Sequence, residues 1–71
     1  MHLNRHALRA LRECRGLTAT ELARLAGTST SHISNIENGA RVPSAALIHS
    51  IAAALAVDAL AITHHLAEVT A

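Results

Sequence analysis

The stretch Thr18-Ala19-Thr20-Glu21-Leu22-Ala23-Arg24-Leu25-Ala26-Gly27-Thr28-Ser29-Thr30-Ser31-His32-Ile33-Ser34-Asn35-Ile36-Glu37-Asn38 decides the fold of this chain. Thr18 is a good helix N-cap, and Glu21, three residues on, can reach back to the Thr18 amide to complete a capping box. Leu22, Ala23, Leu25 and Ala26 then form an apolar face about two turns long. Gly27 follows at once, where a left-handed backbone stops a helix without a Cβ penalty. Ser29 can cap a second helix, whose Ile33 and Ile36 lie three residues apart and make an inward edge. The opposite edge carries Thr30, Ser31, Ser34 and Asn35, which are short and rich in hydrogen-bonding groups.

The flanking sequence adds further helices. Upstream, a helix is predicted over Arg5 to Arg15, with Asn4 as its N-cap and Leu3 packed on Leu8 as a hydrophobic staple. Ala7, Leu8, Leu11 and Cys14 give it an inward stripe, and Gly16 closes it. Arg9, Arg12 and Arg15 recur every third residue; Arg9 reads as part of a solvated face, whereas Arg12 lies at the edge of the apolar stripe. Downstream, Gly39 allows a turn, Arg41 is exposed, and Ser44 after Pro43 caps a fourth helix over Ala45 to Leu55. Its inward residues are Leu47, Ile48, Ile51, Ala52 and Leu55. Asp58 caps a predicted fifth helix that keeps Ala59, Ile62, Leu66 and Val69 on one side.

Seventy-one residues make one domain, 1–71. A chain of this size buries only about 60% of its unfolded surface, so stability should be marginal. Phe, Tyr and Trp are absent, and the core must be built from Leu, Ile, Val and Ala. Small aliphatic side chains suit short, closely packed helices, and no alternating run reads as a strand. The expected fold class is all-α, with five short helices.

No group of residues reads as a catalytic centre. His2 and His6 are four apart, but position 2 precedes the helix and no Cys or carboxylate completes a metal set. His64 and His65, being adjacent, point about 100° apart on the fifth helix and fit its polar end. Ser31 and His32 lack an acid partner for nucleophile activation. Cys14 reads as a small core residue; as the single cysteine it excludes an intramolecular disulfide and suits a reducing compartment. No apolar run approaches the roughly 20 residues of a membrane span and no signal-peptide pattern is present. A non-enzymatic cytoplasmic protein without cofactor or metal is expected. The net charge is only +1, with six Arg and no Lys, a weak footprint for a nucleic-acid binder. Its distribution matters more. The acids mostly fall where caps and an internal ion pair would use them, leaving arginines for phosphate.

An aliphatic back and a small polar front on a capped second helix fit the groove-reading half of a helix-turn-helix. Here the chain resembles the Cro/phage-repressor (XRE-like) helix-turn-helix regulators. The resemblance rests on Leu17-Thr18, Glu21-Leu22-Ala23, Ala26-Gly27, Ile33-Ser34-Asn35-Ile36-Glu37-Asn38-Gly39 and Pro43-Ser44, and spans roughly Leu8 to Ile62. It implies a compact five-helix, lambda-repressor-like domain. Two positions depart from the family: Ala19 stands where a phosphate-touching Gln is usual, and Ala56 where Gly is frequent.

The resemblance implies that Thr30, Ser31 and Asn35 read bases, with Ser34 alongside, and that Arg12 pairs with Glu37. It also assigns Asn38 and the loop containing Arg41 to the phosphate backbone. Chemically, Asn35 can bond adenine in bidentate fashion and the Thr30 methyl can touch a thymine methyl. Ser29 and the free amides at the N-termini of helices 2 and 3 are phosphate donors, the Ala19 amide among them. His32 faces the backbone or a flanking base. The expected partners are double-stranded DNA with an inverted-repeat operator and a second copy of the chain, joined through Leu60, with free monomers pairing chiefly on DNA. Two function classes remain open: a sequence-specific regulator, or a protein-interaction module of antitoxin or antirepressor type on the same fold.

Overall fold

The computed structural model describes residues 2–64, with the backbone alone at His64. Four α-helices follow in order: α1 Arg5–Cys14, α2 Ala19–Ala26, α3 Thr30–Glu37 and α4 Ala45–Ala54. Each starts at a side-chain oxygen that accepts the amide three residues on, at 3.1 Å in every case: Asn4 from Ala7, Thr18 from Glu21, Ser29 from His32 and Ser44 from Leu47. The Glu21 carboxylate completes a capping box by accepting the Thr18 amide at 2.8 Å. This bond, with that from the Thr18 hydroxyl, holds the Glu21 carboxyl below the usual carboxylate range. The stability it contributes is therefore present above the unfolded-state pKa and lost as pH falls through the folded one.

Gly27 ends α2 at φ +75°, in the left-handed region, with the Thr28 amide returning to the Ala23 carbonyl at 2.9 Å. That turn swings α3 across α2. The core consists of Leu8, Leu22, Ile33, Ile36, Ile48, Ile51, Leu55 and Ile62, all fully buried, with Ala23 and Ala52 filling between them. α2 packs on both α3 and α4, while α1 closes over α3. Burying each such aliphatic side chain contributes about 1.5–3 kcal/mol, so this aliphatic cluster is the main force that holds α3 in place.

Five sequence expectations are corrected. Among the described residues there are four α-helices rather than five: Ala59–Ile62 is a single 3₁₀ turn, and Thr63–His64 then runs extended. Asp58 does cap it, accepting the Leu60 amide at 3.0 Å. The β-branched pair Ile62-Thr63 favours extended backbone, and the N-terminal residues His2–Leu3 (β1) offer a partner. β1 pairs antiparallel with Thr63–His64 (β2), Leu3 opposite Thr63 and His2 opposite His64, so short strands exist where none was expected. His64 thus ends a strand rather than a helix; His65, Leu66 and Val69 lie outside the described residues. Cys14 is exposed, because α1 runs past the edge of the core beyond Leu11. Leu25 is likewise more than half exposed, the buried face of α2 being Leu22 and Ala23.

Arg12 and Glu37 tie α1 to the end of α3. Arg12 Nε donates to Glu37 Oε2 at 2.7 Å and Nη2 to Oε1 at 3.0 Å, while Nη1 donates to the Leu17 carbonyl at 2.8 Å. The side chains are 13% and 7% exposed. The bonds to Glu37 raise the Arg12 pKa against the opposing effect of burial, so the charged form is retained. At the far end of α4, Ala56 takes φ +58°. It is the non-glycine residue with a left-handed backbone among those described, at the position where the resemblance drawn from the sequence leads one to expect Gly.

Removing either partner of the pair leaves a desolvated charge, so Arg12→Ala and Glu37→Ala should each lose about 3–5 kcal/mol in urea denaturation. The double change to Leu should lose less than either; equality with wild type for both single variants would contradict the burial. Ala56→Gly should raise stability, by about 1 kcal/mol or less, because relief of the left-handed Cβ clash is partly offset by the freedom of Gly in the unfolded chain.

Candidate nucleic-acid interface

Ile33 and Ile36 fix α3 in the core, and helical geometry then turns Thr30, Ser31 and Asn35 outward to solvent. Ser34 is half-buried beside them. Ser29, Ser31, His32, Asn35 and Arg41 surround one shallow, open depression of about 290 Å³. Side chains assigned to bases and side chains assigned to phosphate thus share one surface. Thr30 stands at its N-terminal end, where its hydroxyl donates to the Thr20 hydroxyl of α2 at 3.2 Å. Ala19, the first residue of α2, packs against the core, which leaves its backbone amide as the group it can offer. Ser34 and Asn38 do not line the depression.

The loop after α3 brings Arg41 to this surface. The Asn35 carbonyl accepts the amides of both Ala40, at 2.8 Å, and Arg41, at 3.2 Å. Gly39 makes this reversal at φ +81°. A Cβ there would also lie 3.2 Å from Arg5 Nε, because the Arg5 side chain crosses over it. Arg5 Nη1 donates to the Glu37 carbonyl at 3.1 Å, covering the C-terminal end of α3.

The charges are distributed to match. Arg12 is held by Glu37, Arg9 by Glu13 at 3.5 Å on the exposed face of α1, and Arg15 donates to the Leu55 carbonyl at 2.9 Å. The Arg41 guanidinium forms no hydrogen bond or ion pair among the described residues, and no carboxylate lines the depression. Backbone amides in the first turn of α3 add donors at its positive end. Small hydroxyl and amide groups, one free guanidinium and unsatisfied amides make a surface suited to an anionic, hydrogen-bonding ligand that lies along a helix.

The comparisons with known proteins agree. The helix-turn-helix domain family matches the chain over residues 5–64. The chain belongs to that family. It is similar to the HTH-type transcriptional repressor RghR of Bacillus subtilis (strain 168), with 53% identity over 51 residues, which cover 70% of this chain and 38% of RghR. The match therefore spans well under half of that relative. Among solved structures, the restriction-modification controller protein C.AhdI of Aeromonas hydrophila superposes with a TM-score of 0.79 at 33% identity, covering 80% of this chain and 83% of its own. The hypothetical transcription factor NHTF from Neisseria gives 0.81 at 27% identity, over 93% of this chain and 76% of its own. Over this domain the chain is similar to XRE-like helix-turn-helix regulators.

Two residues of this helix-turn-helix surface, Thr20 and Arg5, escaped sequence reasoning, as did the contact that orients His32. His32 Nδ1 lies 3.2 Å from the Thr28 hydroxyl, which orients the ring toward the depression; their spacing of four is the signal that flags the pair. Thr20 meets Thr30 across the turn, ten positions away. Arg5 meets Glu37 thirty-two positions away. Neither of these two contacts has a local sequence signature, since both are set by how helices cross.

Proposed function

We propose that this chain is a sequence-specific, double-stranded-DNA-binding transcriptional regulator, acting as a repressor, with α3 in the major groove. The observation that carries the reading is the exposed front of Thr30, Ser31 and Asn35, of which Ser31 and Asn35 share one depression with Ser29 and Arg41. Short side chains let the helix backbone come close to base edges, and Asn35 is the residue suited to a bidentate bond with adenine N6 and N7. Ser29, Arg41, the Ala19 amide and Asn38 beyond the C-terminus of α3 contact phosphates and set the register. With so few cations the salt dependence is shallow, about two to four phosphates per subunit. The similarity to a transcriptional repressor and to a restriction-modification controller protein supports regulation over the protein-docking alternative. No helix of the described residues is long and apolar enough to cross a membrane, which is compatible with a regulator working in the cytoplasm.

The working unit is a homodimer. One α3 of eight residues reads too little sequence for specific binding, and a two-fold axis doubles it. Leu60, 59% exposed on the 3₁₀ turn, supplies an apolar contact at the end of the domain. Two-fold symmetry then requires inverted half-sites about one helical turn apart, roughly 34 Å. The contact is small, so pairing occurs chiefly on DNA.

Selection from a random duplex library should return an inverted repeat. On that site, Asn35→Ala should lose about 1–3 kcal/mol and relax preference at one base step per half-site; unchanged affinity and preference would overturn the reading. Sedimentation of the complex should show two subunits per duplex at saturation, and Leu60→Glu should lose the full site while keeping its helical signal. One subunit per duplex would remove the dimer.

A further inference from the structure

We infer that Arg5 is a second phosphate-binding residue, which extends the DNA interface past the C-terminal end of α3; this rests on the DNA-binding reading above. A second groove of about 170 Å³ adjoins the reading depression, lined by Arg5, Gly39, Arg41, Val42 and His2 among others. Arg41 lines both, so the two form one continuous surface with Arg41 as the shared wall. No carboxylate lines either side.

The helix C-terminus would ordinarily disfavour a phosphate here, because its unsatisfied carbonyls carry a partial negative charge. Arg5 changes the sign of that end. Its Nη1 donates to the Glu37 carbonyl at 3.1 Å in an exposed bond, and a guanidinium has five N–H donors in all. The rest of the fork remains for a ligand, with the near edge of the guanidinium laid beside Gly39, where a Cβ would come within 3.2 Å of Arg5 Nε and 3.4 Å of Cζ. Gly39 thus does two jobs: it turns the chain to present Arg41 and it leaves room for Arg5 to lie beside it. Two guanidiniums facing one groove, each without a carboxylate among the described residues, match successive phosphates of a single strand. An arginine serving only to cap α3 would not need a groove shared with Arg41.

The test is the slope of log affinity against log salt, between about 50 and about 200 mM, for wild type, Arg5→Gln, Arg41→Gln and the double variant. The duplexes are one selected by the wild-type protein and one unrelated. Arg5→Gln should lower the slope by about 0.9 and the double variant by about 1.8, with binding weakened alike on both duplexes. Arg5→Lys, which keeps the charge, should keep the wild-type slope. A wild-type slope for Arg5→Gln, or the same loss for Arg5→Lys as for Arg5→Gln, overturns the inference. A scan of single methylphosphonate substitutions with wild type and with Arg5→Gln assigns the contact: one position should weaken wild-type binding and lose its effect in Arg5→Gln, whereas the same set of sensitive positions in both proteins overturns the inference. Wild-type protein that binds no duplex overturns the DNA-binding reading itself, an outcome distinct from any of these.

Discussion

Two N–H groups of Arg12 reach the Glu37 carboxylate at 2.7 and 3.0 Å while a third holds the Leu17 carbonyl at 2.8 Å. This one side chain joins the end of α1, the turn before α2 and the last residue of α3. A chain of 71 residues without aromatic side chains has few ways to prevent a two-turn helix from rocking on its neighbours. Ile33 and Ile36 supply attraction without direction; the bidentate fork supplies direction. Because Glu37 sits where α3 gives way to the loop, its position also sets where Asn35 accepts the amides of Ala40 and Arg41. The placement of Arg41 on the reading surface therefore depends on a salt bridge on the opposite side of the helix.

The low net charge, which argues weakly for nucleic acid, acquires a physical explanation from this arrangement. Four of the six arginines bond to other groups of the chain: Arg5 to the Glu37 carbonyl, Arg9 to Glu13, Arg12 to Glu37, and Arg15 to the Leu55 carbonyl. Glu21 and Asp58 serve as caps. What counts at the surface is the local field rather than the sum. Along α3 and its following loop that field comes from backbone amides and Arg41, with no carboxylate lining the depression.

The helix-turn-helix was legible because each of its signals is local. Thr18 with Glu21, Gly27, and Ser29 are caps whose geometry depends on residues three or four apart, and Ile33 with Ile36 mark the buried edge. The segment after Asp58 was misread for the same reason. A helical period through Ala59, Ile62, Leu66 and Val69 is indifferent to the strand offered by His2–Leu3, a partner sixty residues away. Cys14 and Leu25 show a related limit: periodicity says which stripe is apolar but not where the core stops. At the site, the hydroxyl and amide front was readable from composition and spacing. The Arg5 crossing over Gly39 and the Thr20–Thr30 contact were not, because they depend on the angle at which helices meet.

The central claim is that the exposed front of α3, with Arg41, is the surface that meets DNA. Backbone amide shifts of ¹⁵N-labelled protein on addition of a selected duplex locate that surface directly. The largest changes should fall on Ser29 to Asn35 and on Gly39 to Arg41, with the α4 amides Ala45–Ala54 left nearly unmoved. Changes centred instead on Arg24, Leu25, Ala53 and Ala54, with Ser31 and Asn35 unaffected, would place the interface on the α2–α4 face and contradict the account.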